Sequence, residues 1–314
     1  MIETLTVSLK GWALPVVQPT LELIVFSSMP RERVVPGVLA LYRSAIDTFS
    51  TSFKWYQTNV MKTYKALADS GIEHIETMLY DKKALKNRLL GINCHSGPSA
   101  REIDLPTFGF FSDEVLSDPD NLIHRSYVRF CLPISEAKDA ERVYAFVRSV
   151  IAKMEFDSGY CGYACHWHSG SWEIEDALRK VHKGWLTRYP GIAYGEPLAL
   201  LGFVDFGILG VSWLTMINQC KLERIGGALT LDALSKKGIG VDLIEGEHGV
   251  IIRAGSTPEI GDRNHSQLLP LYHRVGRALA QLRVPDEWIE QMSVEGLDAE
   301  DIAPWYTRFF KGVE

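Results

Sequence analysis

The sharpest chemical cluster in this chain is Cys161-x3-Cys165-His166-Trp167-His168, four residues of metal-ligand type within eight positions. Gly159 to Trp167 reads as a strand, and strand side chains alternate between faces. Cys161 and Cys165 then point one way, and His166 and His168 the other, so four ligands do not converge. The expectation is a pair of buried, reduced thiols and no metal. Cys94-His95 is an adjacent pair, and adjacency is not the spatial relation that a nucleophile and its base require. Asp262, with Glu259 and His265 nearby, could serve a hydrolase or a nucleotide-processing enzyme. The commoner role for an Asp after Gly261 is to hydrogen-bond its own turn. Glu245 and Glu247 flank Gly246 in a hairpin, where a solvated turn explains them.

Other reactive signatures are missing. Gly-x-Gly-x-x-Gly and the P-loop pattern do not occur, and Gly238-Ile239-Gly240 lacks the third glycine. Ser169-Gly170-Ser171 is not a nucleophile elbow. No cofactor is expected. Five cysteines, odd in number and unevenly spaced, fit reduced thiols better than a disulfide framework. No apolar run approaches the ~18 residues of a membrane span. Met1 to Lys10 shows no basic region followed by an apolar run, so no secretory signal is expected and the cytoplasm is the expected compartment.

The net charge of −6 is mild, but its location is informative. Residues 285–314 hold eight carboxylates against Arg308 and Lys311, which accounts for all of it. That balance argues against nucleic acid as a direct ligand, because phosphates need clustered Lys and Arg.

The elements that must position these groups alternate irregularly. Thr20 to Ser27, Phe53 to Thr58, Leu89 to His95, Phe108 to Ser112, Ser126 to Leu132 and Gly159 to Trp167 read as strands. Val35 to Ser50 reads as a helix with Pro36 in its first turn, and Met61 to Tyr80 as a helix interrupted near Ser70-Gly71. Ser135 is the expected N-cap of a helix presenting Val143, Phe146, Val147 and Val150, and Ser171 opens another. From Trp213 the spacing of Leu214, Ile217 and Ile225 predicts a helix. Val241 to Ile244 and Val250 to Ile252 are short strands, and Leu268 to Leu282 is a long helix. Many of these strands are consecutive. The fold class is therefore α+β, a mixed, largely antiparallel sheet packed with several helices. Residues 1–284 are expected to form one domain, with 113–122 the candidate division between two subdomains, and 285–314 an acidic tail packed on it by Trp288, Trp305 and Phe309. Pro304 is expected to enter a last helical turn.

The ordered series Arg188-Tyr-Pro-Gly-Ile192, Gly210-Val-Ser-Trp-Leu-Thr215, Ala254-Gly-x-x-Pro-x-x-Gly-Asp262 and Leu269-Pro-Leu-Tyr-x-Arg-Val275 resembles the bacterial type VI secretion immunity family. Members of that family sit beside nuclease toxins of the VRR-Nuc and related restriction-endonuclease-like classes. The resemblance spans at least residues 123–283. It implies a protein that performs no chemistry, binds a cognate nuclease toxin from a neighbouring gene in the cytoplasm, and neutralises it by occlusion. Gly191, Trp213, Gly255, Pro258, Gly261 and Asp262 are then structural motif residues, because Gly255, Pro258 and Gly261 specify a backbone path. An inhibitor of a basic nuclease groove can use carboxylates, which makes Glu295, Asp298, Glu300 and Asp301 candidate partner-binding residues. The alternative for them is a solvated face. Trp55, Trp167, Trp172, Trp185 and Trp213 are core aromatics or exposed interface anchors.

Overall fold

The computed structural model describes residues 2–67, 71–81, 88–118, 121–167, 171–193, 196–227, 231, 234–235 and 240–311. His168, Ser169-Gly170 and Gly238-Ile239 lie outside them. The strands are β1 Val17–Ser27, β2 Trp55–Thr58, β3 Lys65–Ala66, β4 Leu89–His95, β5 Thr107–Asp118, β6 Asn121–Pro133, β7 Ser158–Trp167, β8 Leu214–Asn218, β9 Val241–Gly246 and β10 Gly249–Ala254. They form one ten-stranded sheet in the order β3-β2-β4-β5-β6-β1-β7-β8-β10-β9. Every neighbouring pair is antiparallel. The helices are α1 Arg31–Phe49, α2 Gly71–Tyr80, α3 Ala140–Lys153, α4 Trp172–Arg188, α5 Pro197–Leu200, α6 Gln219–Arg224, α7 Pro270–Ala278, α8 Asp286–Ile289 and α9 Ala299–Thr307. The α+β class follows, with an antiparallel sheet. No helix is long and apolar enough to cross a membrane, among the described residues.

Residues directly opposite in an antiparallel ladder share a face, so register assigns the two sides. Tyr56, Cys94, Phe108, Phe130, Leu23, Cys161 and Leu214 form one row across seven strands. α1 and α3 cover this side: Tyr42 of α1 meets Phe108 edge-on at 4.9 Å, and Phe146 of α3 meets Phe130 at 5.6 Å. Burying each such ring is worth roughly 1.5–3 kcal/mol. The next row, Gln57, Asn93, Gly109, Arg129, Ile24, Tyr160 and Thr215, faces the other way and is far more polar.

Several expectations need correction. The segment after Trp213 is strand β8 followed by the short α6, not one helix. Leu214 and Ile217, three apart, match the helical period, and a strand buried on both faces, as β8 is, shows no alternation to set against it. Pro36 lies inside α1, which begins five residues earlier at Arg31; Pro304, as expected, enters the last turn of its helix, α9, and is interior to it as well. Each proline removes a bond to the carbonyl four residues back, at the exposed Glu32 and Glu300, where water can serve it. Asp139, not Ser135, caps α3, accepting from the Arg142 N–H at 3.1 Å, because residues 134–139 first make a 3-10 turn. Among the described residues of the 61–80 stretch only Gly71–Tyr80 is helical, and Lys65–Ala66 pairs as an edge strand. The long helix after Leu268 is shorter, Pro270–Ala278, with a 3-10 turn at Ala280–Leu282. The β5–β6 pairing runs from Thr107 opposite Cys131 to Asp118 opposite Asn121.

Candidate functional site

The polar side of the sheet holds a cavity of about 110 Å3 over β4, β5 and β6. Gln57, Asn93, Thr107, Arg129 and His166 line it, and Gly109 leaves room in the row between Asn93 and Arg129. Arg129 is held from behind by Glu22, which is fully buried: Nε donates to Glu22 Oε2 at 2.6 Å. Tyr160 OH donates to the other Glu22 oxygen at 3.4 Å. Glu196 has its carboxyl pushed up by burial, with nearby Arg129 opposing that shift. The Cys131 thiol lies 3.8 Å from Glu22, and burial pushes it up to about 12. A thiol in that state supplies no thiolate nucleophile. The group is a buried charge network that ties β1 to β6, not an arrangement of nucleophile and base.

Cys161 and Cys165 are both buried, and by strand parity they share a side while His166 takes the opposite one. Burial pushes the thiols of Cys94, Cys161 and Cys165 upward. His95 is fully buried, and its Nδ1 accepts from the Gly97 N–H at 3.1 Å, a loop-shaping bond.

The 254–265 loop is fixed from several directions. Trp213, fully buried, donates its indole N–H to the Gly255 carbonyl at 3.1 Å, and Arg253 donates to Gly255 and Ser256 carbonyls at 3.1 and 2.6 Å. Gly255 and Gly261 have φ of +91° and +64°, a region that favours glycine. A Cβ on Gly191 would sit 2.2 Å from the Glu259 carbonyl oxygen, so the Arg188-Tyr189-Pro190-Gly191 turn and this loop meet backbone to backbone. Pro258 is buried at the bend.

Asp262 has a fully buried side chain. Arg188 grips it with two bonds of 3.0 and 2.9 Å, His265 Nδ1 approaches Oδ2 at 2.8 Å, and the Asn264 N–H donates to Oδ1 at 3.0 Å. The Arg188 guanidinium, against the cost of burial and with His265 and Asn264 assisting, holds this carboxyl well below the usual carboxylate range. Its lone pairs are engaged within the protein. An open cavity of about 770 Å3 beside the loop is lined by Glu259, Gly261, Ser266 and Leu268, but by neither Asp262 nor His265. This cavity does not gather the three side chains of the hydrolase alternative.

Three of the four candidate carboxylates of the tail pair with α4. Glu295 pairs with Arg179 at 2.6 Å, and Asp298 and Asp301 both pair with Lys183, at 2.7 and 2.6 Å. Glu300 is exposed and forms no ion pair among the described residues. His182 on the same helix is fully buried, and its Nδ1 donates to the Glu295 carbonyl at 2.5 Å. Beyond this clamp, Ile302, Trp305, Tyr306 and Phe309 are buried. Tyr306 OH donates to the Ile208 carbonyl and accepts from the Val284 N–H at 2.9 Å. Arg308 donates to the Pro190 and Ile192 carbonyls at 2.7 and 3.2 Å. The acidic segment thus closes onto the Arg188–Ile192 turn.

Two features escape a reading of the chain alone. Glu22 is a lone charge inside the apolar run Thr20–Ser27, and Arg129 alternates with apolar residues in β6; those were the signals for a buried pair. Trp172 is 74% exposed, whereas Trp167 and Trp213 are buried.

No curated protein matches the chain. Among solved structures it is similar to a Pseudomonas aeruginosa T6SS protein, PA0821, with a TM-score of 0.80 and 18% identity, over 98% of this chain and 88% of that one. At that identity the likeness establishes a shared fold. The family model described as type VI immunity for VRR-NUC matches residues 37–309, a span that includes the sheet from β2 to β10, the 254–262 loop and most of the acidic tail. The chain belongs to that family of type VI immunity proteins.

Proposed function

We propose that the protein binds a VRR-Nuc nuclease toxin in the cytoplasm and neutralises it by occlusion, without catalysis. The family match over residues 37–309 carries this reading. The charge distribution supports it: the −6 sits in the last thirty residues, and Glu287, Glu290, Asp298 and Glu300 are exposed. A nuclease must attract phosphates and so presents a positive groove, and carboxylates facing it give complementarity and speed encounter. Glu295, Asp298, Glu300 and Asp301 belong to the surface offered to the toxin. The test is to mix the purified protein with the VRR-Nuc nuclease encoded beside it. A complex that survives gel filtration is expected. Two separate peaks at micromolar concentrations would overturn the reading.

A further inference from the structure

Trp172 is the largest exposed apolar side chain among the described residues, 74% open to solvent on the first turn of α4. The helix has no freedom to roll it inward, because Ile174, Ala177 and Leu178 fix the opposite side in the core. Trp172, Asp176, Arg179 and Lys183 follow at spacings of four, three and four, so they share one stripe. Arg179 and Lys183 on that stripe are already engaged by tail carboxylates, and Lys180 by Asp176 at 2.6 Å. Residues 172–187 and 295–301 together hold seven carboxylates against three cations. A second exposed apolar residue, Leu198 at 51%, lies on α5.

We propose that Trp172, rimmed by Glu173 and Glu175, is the anchor of a docking surface for a basic protein partner, the phosphate-binding face of the VRR-Nuc nuclease. The identity of that partner rests on the function proposed above. An exposed indole supplies the large, rigid contact typical of binding hot spots, and its face attracts a Lys or Arg cation. The surrounding carboxylates select a basic partner and oppose a second copy of this acidic face. The tail has a part in this: by capping Arg179 and Lys183 it turns the α4 stripe from mixed to net negative.

The experiment measures the affinity of the nuclease for the parent protein, Trp172→Ala and Leu268→Ala, with thermal melts on each. Leu268 is also exposed, at 52%, but lines the cavity beside the 258–270 loop and serves as a control. Trp172→Ala is expected to melt like the parent and to bind at least about tenfold more weakly, with Leu268→Ala unchanged. Glu173→Gln with Glu175→Gln is expected to slow association and flatten its salt dependence. Parent-like binding by Trp172→Ala, or equal weakening by Leu268→Ala, overturns the docking surface while the immunity reading stands. A parent dimer that Trp172→Ala dissolves, with nuclease affinity intact, makes this face a self-association surface and also overturns it. Failure of the parent to bind the nuclease removes the immunity reading itself.

Discussion

Asp262 has the residue neighbours that hydrolysis would need, and the fold uses its oxygens for Arg188, His265 and the Asn264 N–H. The glycine before it matters for a different reason, since at φ +64° a Cβ would also lie 2.8 Å from the Gln267 carbonyl oxygen. Gly261→Val is expected to destabilise the protein by roughly 1–3 kcal/mol, the usual cost of a strained backbone position. Asp262→Asn is expected to lower the melting temperature, because Arg188 loses its charged partner, yet to leave toxin protection nearly intact. Complete loss of protection in a well-folded Asp262→Asn protein would show that the side chain acts directly. This loop was legible in the chain because Gly255, Pro258 and Gly261 announce a backbone path. Its anchor, Arg188, was not, since pairing over 74 positions leaves no local trace. Glu22 and Arg129 each stand out as a charge in an apolar strand, but their pairing over 107 positions does not.

At the level of elements, α4 and the tail form one unit. His182 sits between them, buried against the Glu295 carbonyl, and Gly296 follows with φ +85° and no Cβ to strike the His182 side chain. Burial pulls the His182 pKa from 6.5 down to about 4, although the Glu295 contacts oppose this. The unfolded chain therefore takes up the proton first as pH falls. The contribution is fully present above about pH 6.5 and is lost as pH drops through about 4, a loss of roughly 3 kcal/mol. The expected outcome is a melting temperature that falls across this window, more gently in His182→Asn; equal pH profiles would place the sensitivity elsewhere. Element types were read well where periodicity was long, as for α1, α3 and β7. They were read poorly at β8, whose five residues are nearly all buried and whose Leu214–Ile217 spacing mimics a helix. Pro36 reads as a helix start from the chain alone because its interior position depends on solvent reaching the freed carbonyl.

For the whole molecule, one antiparallel sheet carries helices on an apolar side and a charged network on the other, and the acidic tail closes the polar side at α4. Composition revealed the charge asymmetry but not that Glu295, Asp298 and Asp301 would spend part of it on Arg179 and Lys183. Replacing Glu295, Asp298, Glu300 and Asp301 with Asn or Gln is expected to slow association with the nuclease and flatten its salt dependence, and to loosen the tail. An unchanged rate and salt slope in a folded protein would remove the tail from the interface. The proposed function makes inhibition a matter of stoichiometry, since a protein that occludes its target is consumed one molecule per toxin. The most direct measurement is a titration of this protein into a fixed amount of VRR-Nuc nuclease cutting DNA. Residual cleavage is expected to fall linearly and vanish at an equimolar ratio. Abolition at a small fraction of that ratio would mean catalytic destruction of toxin or substrate, and undiminished cleavage at large excess would mean no inhibition; either result contradicts neutralisation by occlusion.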